Sequence, residues 1–207
     1  MIQKPNELHR CELGDEEYWL RTPTVFDVPR LRRELTRQGV RRPQLQEFRI
    51  AALAGIAALG EAAGEPEEAA RQGAVMEQWY ALLTPISEDE IEEPDLVKRG
   101  EILQQQLEQH ASERTVIISE VLRIQANLER HWAPYADLVA DRRYWDDVSQ
   151  IMAVRVLLRR RGLVKLECDA DGLLSEAAFL ELPRDAVTPL AKFAEALLVP
   201  DEAQRKN

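Results

Sequence analysis

The chain has 207 residues, 45% of them apolar and 31% charged, a composition that fits one globular domain, or one with an appendage, and excludes dominant disorder. Its 37 acidic residues outnumber 27 basic ones, and the net charge of −10 argues against general nucleic-acid affinity, because phosphates are repelled on average. Cys11 and Cys168 form no CxxC pair, which excludes a zinc ribbon or thioredoxin-like site, and they read as reduced thiols.

The first ten residues lack the apolar core of a signal peptide. The most apolar run, Ile50 to Leu59, is shorter than the roughly 20 residues that a membrane span needs. Both features lead us to expect an intracellular, cytoplasmic protein without membrane contact. Leu8–Leu13 and Glu17–Arg21 read as two strands around a Gly14-Asp15 turn, with Tyr18, Trp19 and Leu20 favouring β. Asp27 is a plausible N-cap, and Pro29 suits the first turn of a helix running to about Gln38, closed by Gly39.

A second helix is expected from Pro43 to near Gly64, rich in Ala and Gly, so that a neighbouring helix can approach closely. A third starts at Pro66, with Glu67 and Glu68 in its first turn, and stops at Thr84-Pro85. Ser87–Glu93 reads as an acidic link. The longest helix, about Asp95 to Trp132, places Leu96, Leu103, Leu107, Ala111, Ile118, Val121, Leu128 and Trp132 on one face. Pro134 ends or kinks it.

Tyr135–Arg161 is expected to be one or two further helices, with Tyr144, Trp145, Val148, Met152, Val156 and Leu157 inward. Leu163–Cys168 suggests a short strand, Asp169–Gly172 a turn, and Ser175–Leu182 a short helix. Thr188-Pro189 signals a last helix ending near Val199, before a polar tail. The expected fold is mainly α: a helical bundle with an N-terminal β-hairpin and a small C-terminal strand-turn-helix segment. Residues 1–162 would form the hairpin and helical domain, and 163–207 an α/β tail packed on it.

No catalytic constellation stands out. The three histidines offer no His-Glu-x-x-His and no Glu-x-x-His, and no Gly-x-Ser-x-Gly elbow or phosphate-binding glycine loop occurs. Glu167, Asp169, Asp171 and Gly172 imitate the start of a calcium loop, but position twelve is Ala178, where a bidentate Glu is required. We therefore expect no enzyme, metal or cofactor.

Charge distribution is more informative. Arg21–Ile50 holds eight arginines against three acids, and Glu65–Glu101 holds eleven acids against three bases. Such segments suit solvated helix faces or a partner of opposite charge. Arg159-Arg160-Arg161 is a second basic knot. No aromatic is interleaved with the arginines from Arg30 to Arg42, which argues against nucleic acid as the partner.

Two stretches carry a family resemblance. Tyr18–Leu35 passes from a hairpin strand through Thr22-Pro-Thr24 into an Arg-rich helix, and Gly172–Pro183 precedes a final helix and a polar tail closing in Arg205-Lys-Asn207. Together they resemble the tail assembly chaperones of long-tailed bacteriophages and prophage-like elements. The resemblance implies a non-catalytic protein of the bacterial host cytoplasm. It would bind and solubilise the helical tape-measure protein, or another phage tail protein, during tail assembly.

Expected partner-binding residues are Arg30, Arg33, Arg37 and Arg41 for acidic client helices, and Trp79, Trp132 and Trp145 for an apolar groove. A structural connector or tail component and a helical adaptor or regulator are the alternatives. The hairpin edge also makes self-association an expectation.

Overall fold

The computed structural model describes residues 7–87 and 91–198. Leu8–Leu13 (β1) and Glu16–Arg21 (β2) pair antiparallel from Leu8↔Arg21 to Leu13↔Glu16. The two residues between them are the expected Gly14-Asp15 turn, and Gly14 has φ 61°, a conformation that a side chain would resist. Then come Asp27–Arg37 (α1), Leu45–Ala63 (α2), Pro66–Leu83 (α3), Leu96–His131 (α4) and Ala133–Leu157 (α5). Leu158–Arg161 (β3), Val164–Lys165 (β4), Glu176–Leu180 (α6) and Arg184–Leu198 (α7) complete the described residues. The chain is mainly α with an N-terminal hairpin.

Local signals set most of these boundaries. α1 closes with Gly39 in the left-handed region while the Val40 N–H reaches back to the Leu35 carbonyl. At the start of α2 the Gln44 side chain accepts from the Glu47 N–H, and the Glu47 carboxylate accepts from the Gln44 N–H, a reciprocal capping box. Asp95 caps α4 by accepting from the Val97 and Lys98 amides. Ser175 caps α6 through the Ala178 amide.

Four expectations need correction. Asp27 is the first helical residue of α1, not its N-cap. Leu158–Arg161 is a strand, not the end of a helix, because it pairs with β2 and closes the sheet order β1-β2-β3-β4. α7 begins four residues before Thr188, and Pro189 lies inside it. Tyr144, expected inward, is 59% exposed. Residues 88–90 of the acidic link and the polar tail from Pro200 lie outside the described residues.

Contacts divide the chain into two compact units: residues 1–42 with 142–207, and residues 43–141. The expected boundary at Gly162 falls inside the first. In the first unit Tyr18, Leu20, Met152, Val156, Leu158, Leu174 and Leu190 are buried between the sheet and the helices of the C-terminal half.

In the second unit α2, α3 and α4 bury Ala52, Ile56, Met76, Tyr80, Val121, Ile124 and Leu128, with Tyr135 added from α5. The small residues of α2 act as expected. A Cβ at Gly60 would lie 2.3 Å from the Ala69 Cβ of α3, and one at Gly55 2.6 Å from Trp132 Cδ1. At Gly60 only glycine admits the approach, whereas a Cβ at Gly55 would require Trp132 and Leu128 to shift.

Candidate functional site

α4 carries the most exposed apolar surface of the second unit. It has 36 residues, yet its only buried ones are Val121, Ile124 and Leu128. α3 lies on α4 through Arg71, whose guanidinium bonds both Glu68 of its own helix and Glu120 of α4, with Arg123 near the same carboxylates. These contacts cover the side of α4 that holds Ile117, Val121 and Ile124.

A second side stays open. Leu96, Leu107 and Ile118 recur eleven residues apart, almost three whole turns, and Leu122 follows four later. Leu96, Leu107 and Leu122 are 77%, 51% and 57% exposed, and Ile118 is half-buried. Gly100, Gln104, Ala111 and Thr115, between them on the same strip, are exposed and uncharged, with Arg114 on its edge. The strip is about 39 Å long at 1.5 Å per residue. The single apolar face expected for this helix therefore divides into a packed side and an open one.

The expected partner-binding residues distribute over both units. Arg33 is exposed on α1. Arg37, also exposed, donates to Glu34 at 3.0 Å, while Arg41 is exposed in the connection to α2. Arg30 is half-buried and lines a cleft with Arg21 and Arg159.

Trp79 and Trp132 are partly buried against the core of the second unit, and the Trp132 Nε1 is enclosed without a hydrogen-bond partner. Trp145 packs against the core of the first unit, with the Arg42 guanidinium over its ring at 4.8 Å. The arginines are thus near one another along α1 and its exit, whereas the tryptophans belong to two separate cores.

Sequence reasoning missed the polar centre at the start of α1. Asp27 is 1% exposed, and its carboxylate accepts from Arg21 Nη1 at 2.7 Å and Nη2 at 2.5 Å. It also accepts from the Thr24 amide at 2.6 Å and the Thr24 hydroxyl at 2.9 Å. Burial would raise this carboxyl's pKa, but the Arg21 and Thr24 hydrogen bonds outweigh burial and hold it below the ordinary value. The arrangement fixes the Thr22-Pro-Thr24 corner against α1. The signal was present as Arg21 and Asp27 six residues apart, but only the corner brings them together.

Cys11 is buried and Cys168 partly exposed, and both are free thiols. In the acidic turn, Asp169 Oδ1 accepts from the Leu173 amide, and its other oxygen faces Arg155 at 3.5 Å. No group of three metal-ligating side chains converges among the described residues. None of the described helices is long and apolar enough to cross a membrane. Comparison of the chain with family models, curated proteins and solved structures finds no match.

Proposed function

We propose that the protein is a non-catalytic binding protein that holds an amphipathic helical client, acting as a phage tail assembly chaperone for the tape-measure protein. The observation that carries this reading is the open strip of α4. It offers Leu96, Leu107, Ile118 and Leu122 in helical phase over about 39 Å, and a client helix can lay its own apolar face along it. Exposed apolar surface of this length rimmed by polar residues is the usual mark of an interaction site. The net charge of −10 favours dispersion of a complex with a hydrophobic client. The identity of the client rests on the resemblance of Tyr18–Leu35 and Gly172–Pro183 to the chaperone family.

The test is co-expression of the full chain with a tape-measure protein of a long-tailed phage, followed by affinity capture and a solubility assay. The wild-type chain should keep the client in the soluble fraction and co-elute with it, and should be absent from purified particles. Leu107→Asp with Leu122→Asp should abolish both effects while leaving the helical content unchanged. Retention of the client by that double variant would refute the α4 strip as the binding face. Abundance of the chain in finished particles would instead mark a structural tail component.

A further inference from the structure

The first unit holds a cleft of about 970 Å³ lined by the start of α1, by Arg159 and Lys165, and by the turn that follows β4. Arg159 enters it because of a break in the sheet. Trp19 pairs with Arg160 and Leu20 with Leu158, so Arg159 is left opposite no residue of β2. Such a bulge re-aims the extra residue's side chain.

The Arg159 guanidinium donates from Nη1 to the Leu158 carbonyl, and from Nη2 to the Val156 carbonyl at 2.8 Å and the Gly172 carbonyl at 3.0 Å. All three acceptors are neutral. Among the described residues no carboxylate forms an ion pair with it, although a half-buried cation favours an anionic partner. Burial, then the neighbouring Arg21 cation, push its pKa down, and the Asp27 carboxylate opposes them only in part.

Arg30 converges on the same place. Its Nη1 would lie 3.9 Å from a Cβ at Gly172, the residue whose carbonyl Arg159 holds. Its guanidinium engages no group among the described residues. Arg21, the third arginine of the lining, is committed to Asp27.

The remaining charges of the lining are Arg30, Arg159 and Lys165 against Glu167 and Asp171, which leaves a single positive charge in excess. That balance suits a monoanion. A phosphate dianion would meet Glu167 and Asp171 with its second negative charge unmatched. Phe26, 72% exposed, and Leu166 supply apolar walls beside the cations, as the stem of a peptide side chain requires.

We propose that this cleft binds a polypeptide segment through a single carboxylate held between Arg30 and Arg159. The proposal stands apart from the α4 strip, which belongs to the other unit, so either can fail alone. The probe is a tetramethylrhodamine-labelled, end-capped Ala octapeptide with one central Glu, read by fluorescence polarisation on the full chain, with the Gln-for-Glu octapeptide (the Gln-Ala peptide) as its counterpart of one charge fewer. Arg30→Gln leaves no protein group without a partner, so it should fold as the wild type does.

Arg30→Gln should weaken binding about tenfold or more, the usual loss for a charge-assisted hydrogen bond. Arg160→Gln, which removes the same charge from an exposed residue outside the cleft, should change it by less than about twofold. Bound peptide should also slow alkylation of Cys168, which lines the cleft. Equal losses in the two variants would overturn the proposal in favour of diffuse attraction. So would equal binding of the Gln-Ala peptide, or an unchanged alkylation rate at saturation. Tighter binding of a single-stranded DNA 20-mer that is lost in Arg30→Gln would assign the cleft to nucleic acid instead.

Discussion

Replacing Asp27 by Ala should destabilise the first unit by about 3 kcal/mol. The magnitude follows from what the carboxylate holds. It is 1% exposed and accepts two hydrogen bonds from Arg21 and two from Thr24. Removing one partner of a buried ion pair costs about 3–5 kcal/mol, because the other charge stays desolvated. The Arg21 side chain keeps 17% exposure and recovers some hydration, which places the cost at the lower end.

The pH dependence has a definite sign. The folded carboxyl titrates below its ordinary value, so its contribution is complete above roughly pH 4 and is lost as pH falls through the folded value. Urea denaturation followed by circular dichroism should therefore show the full deficit of Asp27→Ala at pH 7, and a smaller one in strong acid. A double-mutant cycle with Arg21→Ala should return a coupling of about 1.5 kcal/mol or more. A deficit below about 1 kcal/mol at pH 7, or one that persists undiminished in acid, would refute the reasoning.

Further outcomes follow from the same geometry. Gly60→Ala should cost about 2–3 kcal/mol, because its Cβ would meet the Ala69 Cβ, which cannot rotate away, whereas Gly55→Ala meets side-chain atoms that can shift and should cost less. Gly73→Ala, in mid-helix with nothing within 4 Å of its Cβ, should instead stabilise by up to about 1 kcal/mol, and thermal melts of the three variants check the order. Leu107→Asp with Leu122→Asp should leave the melting temperature nearly unchanged, since both positions are already exposed. Alkylation followed by mass spectrometry should modify Cys168 first, because Cys11 is buried and burial pushes its thiol's pKa up.

The legible parts of the fold are those decided by neighbours in sequence. Gly14-Asp15, Gly39, Gly64, Pro66, Asp95 and Ser175 each end or begin an element where short-range chemistry places the boundary. The close approach of α2 to its neighbours was also readable from its Ala-Gly-Leu-Ile run. Contacts distant in sequence account for the rest. Leu158-Arg-Arg-Arg161 continues the helical pattern of α5 and becomes a strand only because β2, more than 130 residues earlier, offers it an edge. Pro189 imitates a first-turn proline. Pro183, six residues earlier, lies one residue before the actual start of α7.

The cleft was illegible for the same reason as the strand. α5 stops at Leu157 and β3 starts at Leu158, with no loop between. Across that switch the chain clamps the turn ahead of α6: Arg155 Nε donates to the Leu174 carbonyl at 2.9 Å, the Leu174 amide returns a bond to the Arg155 carbonyl, and Arg159 takes the Gly172 carbonyl. Had the helix continued, Arg155 and Arg159 would share one face, four residues apart, as an ordinary basic surface. The bulge against Leu20 instead leaves Arg159 without a partner on β2 and places it in the cleft with Arg30 and Arg21. The Arg159-Arg160-Arg161 knot is therefore not one feature but three. Arg161 pairs with Glu16, Arg160 faces solvent, and Arg159 is half-buried with no carboxylate paired to it among the described residues, which is why a test of the cleft compares Arg30→Gln with Arg160→Gln rather than removing the knot as a whole.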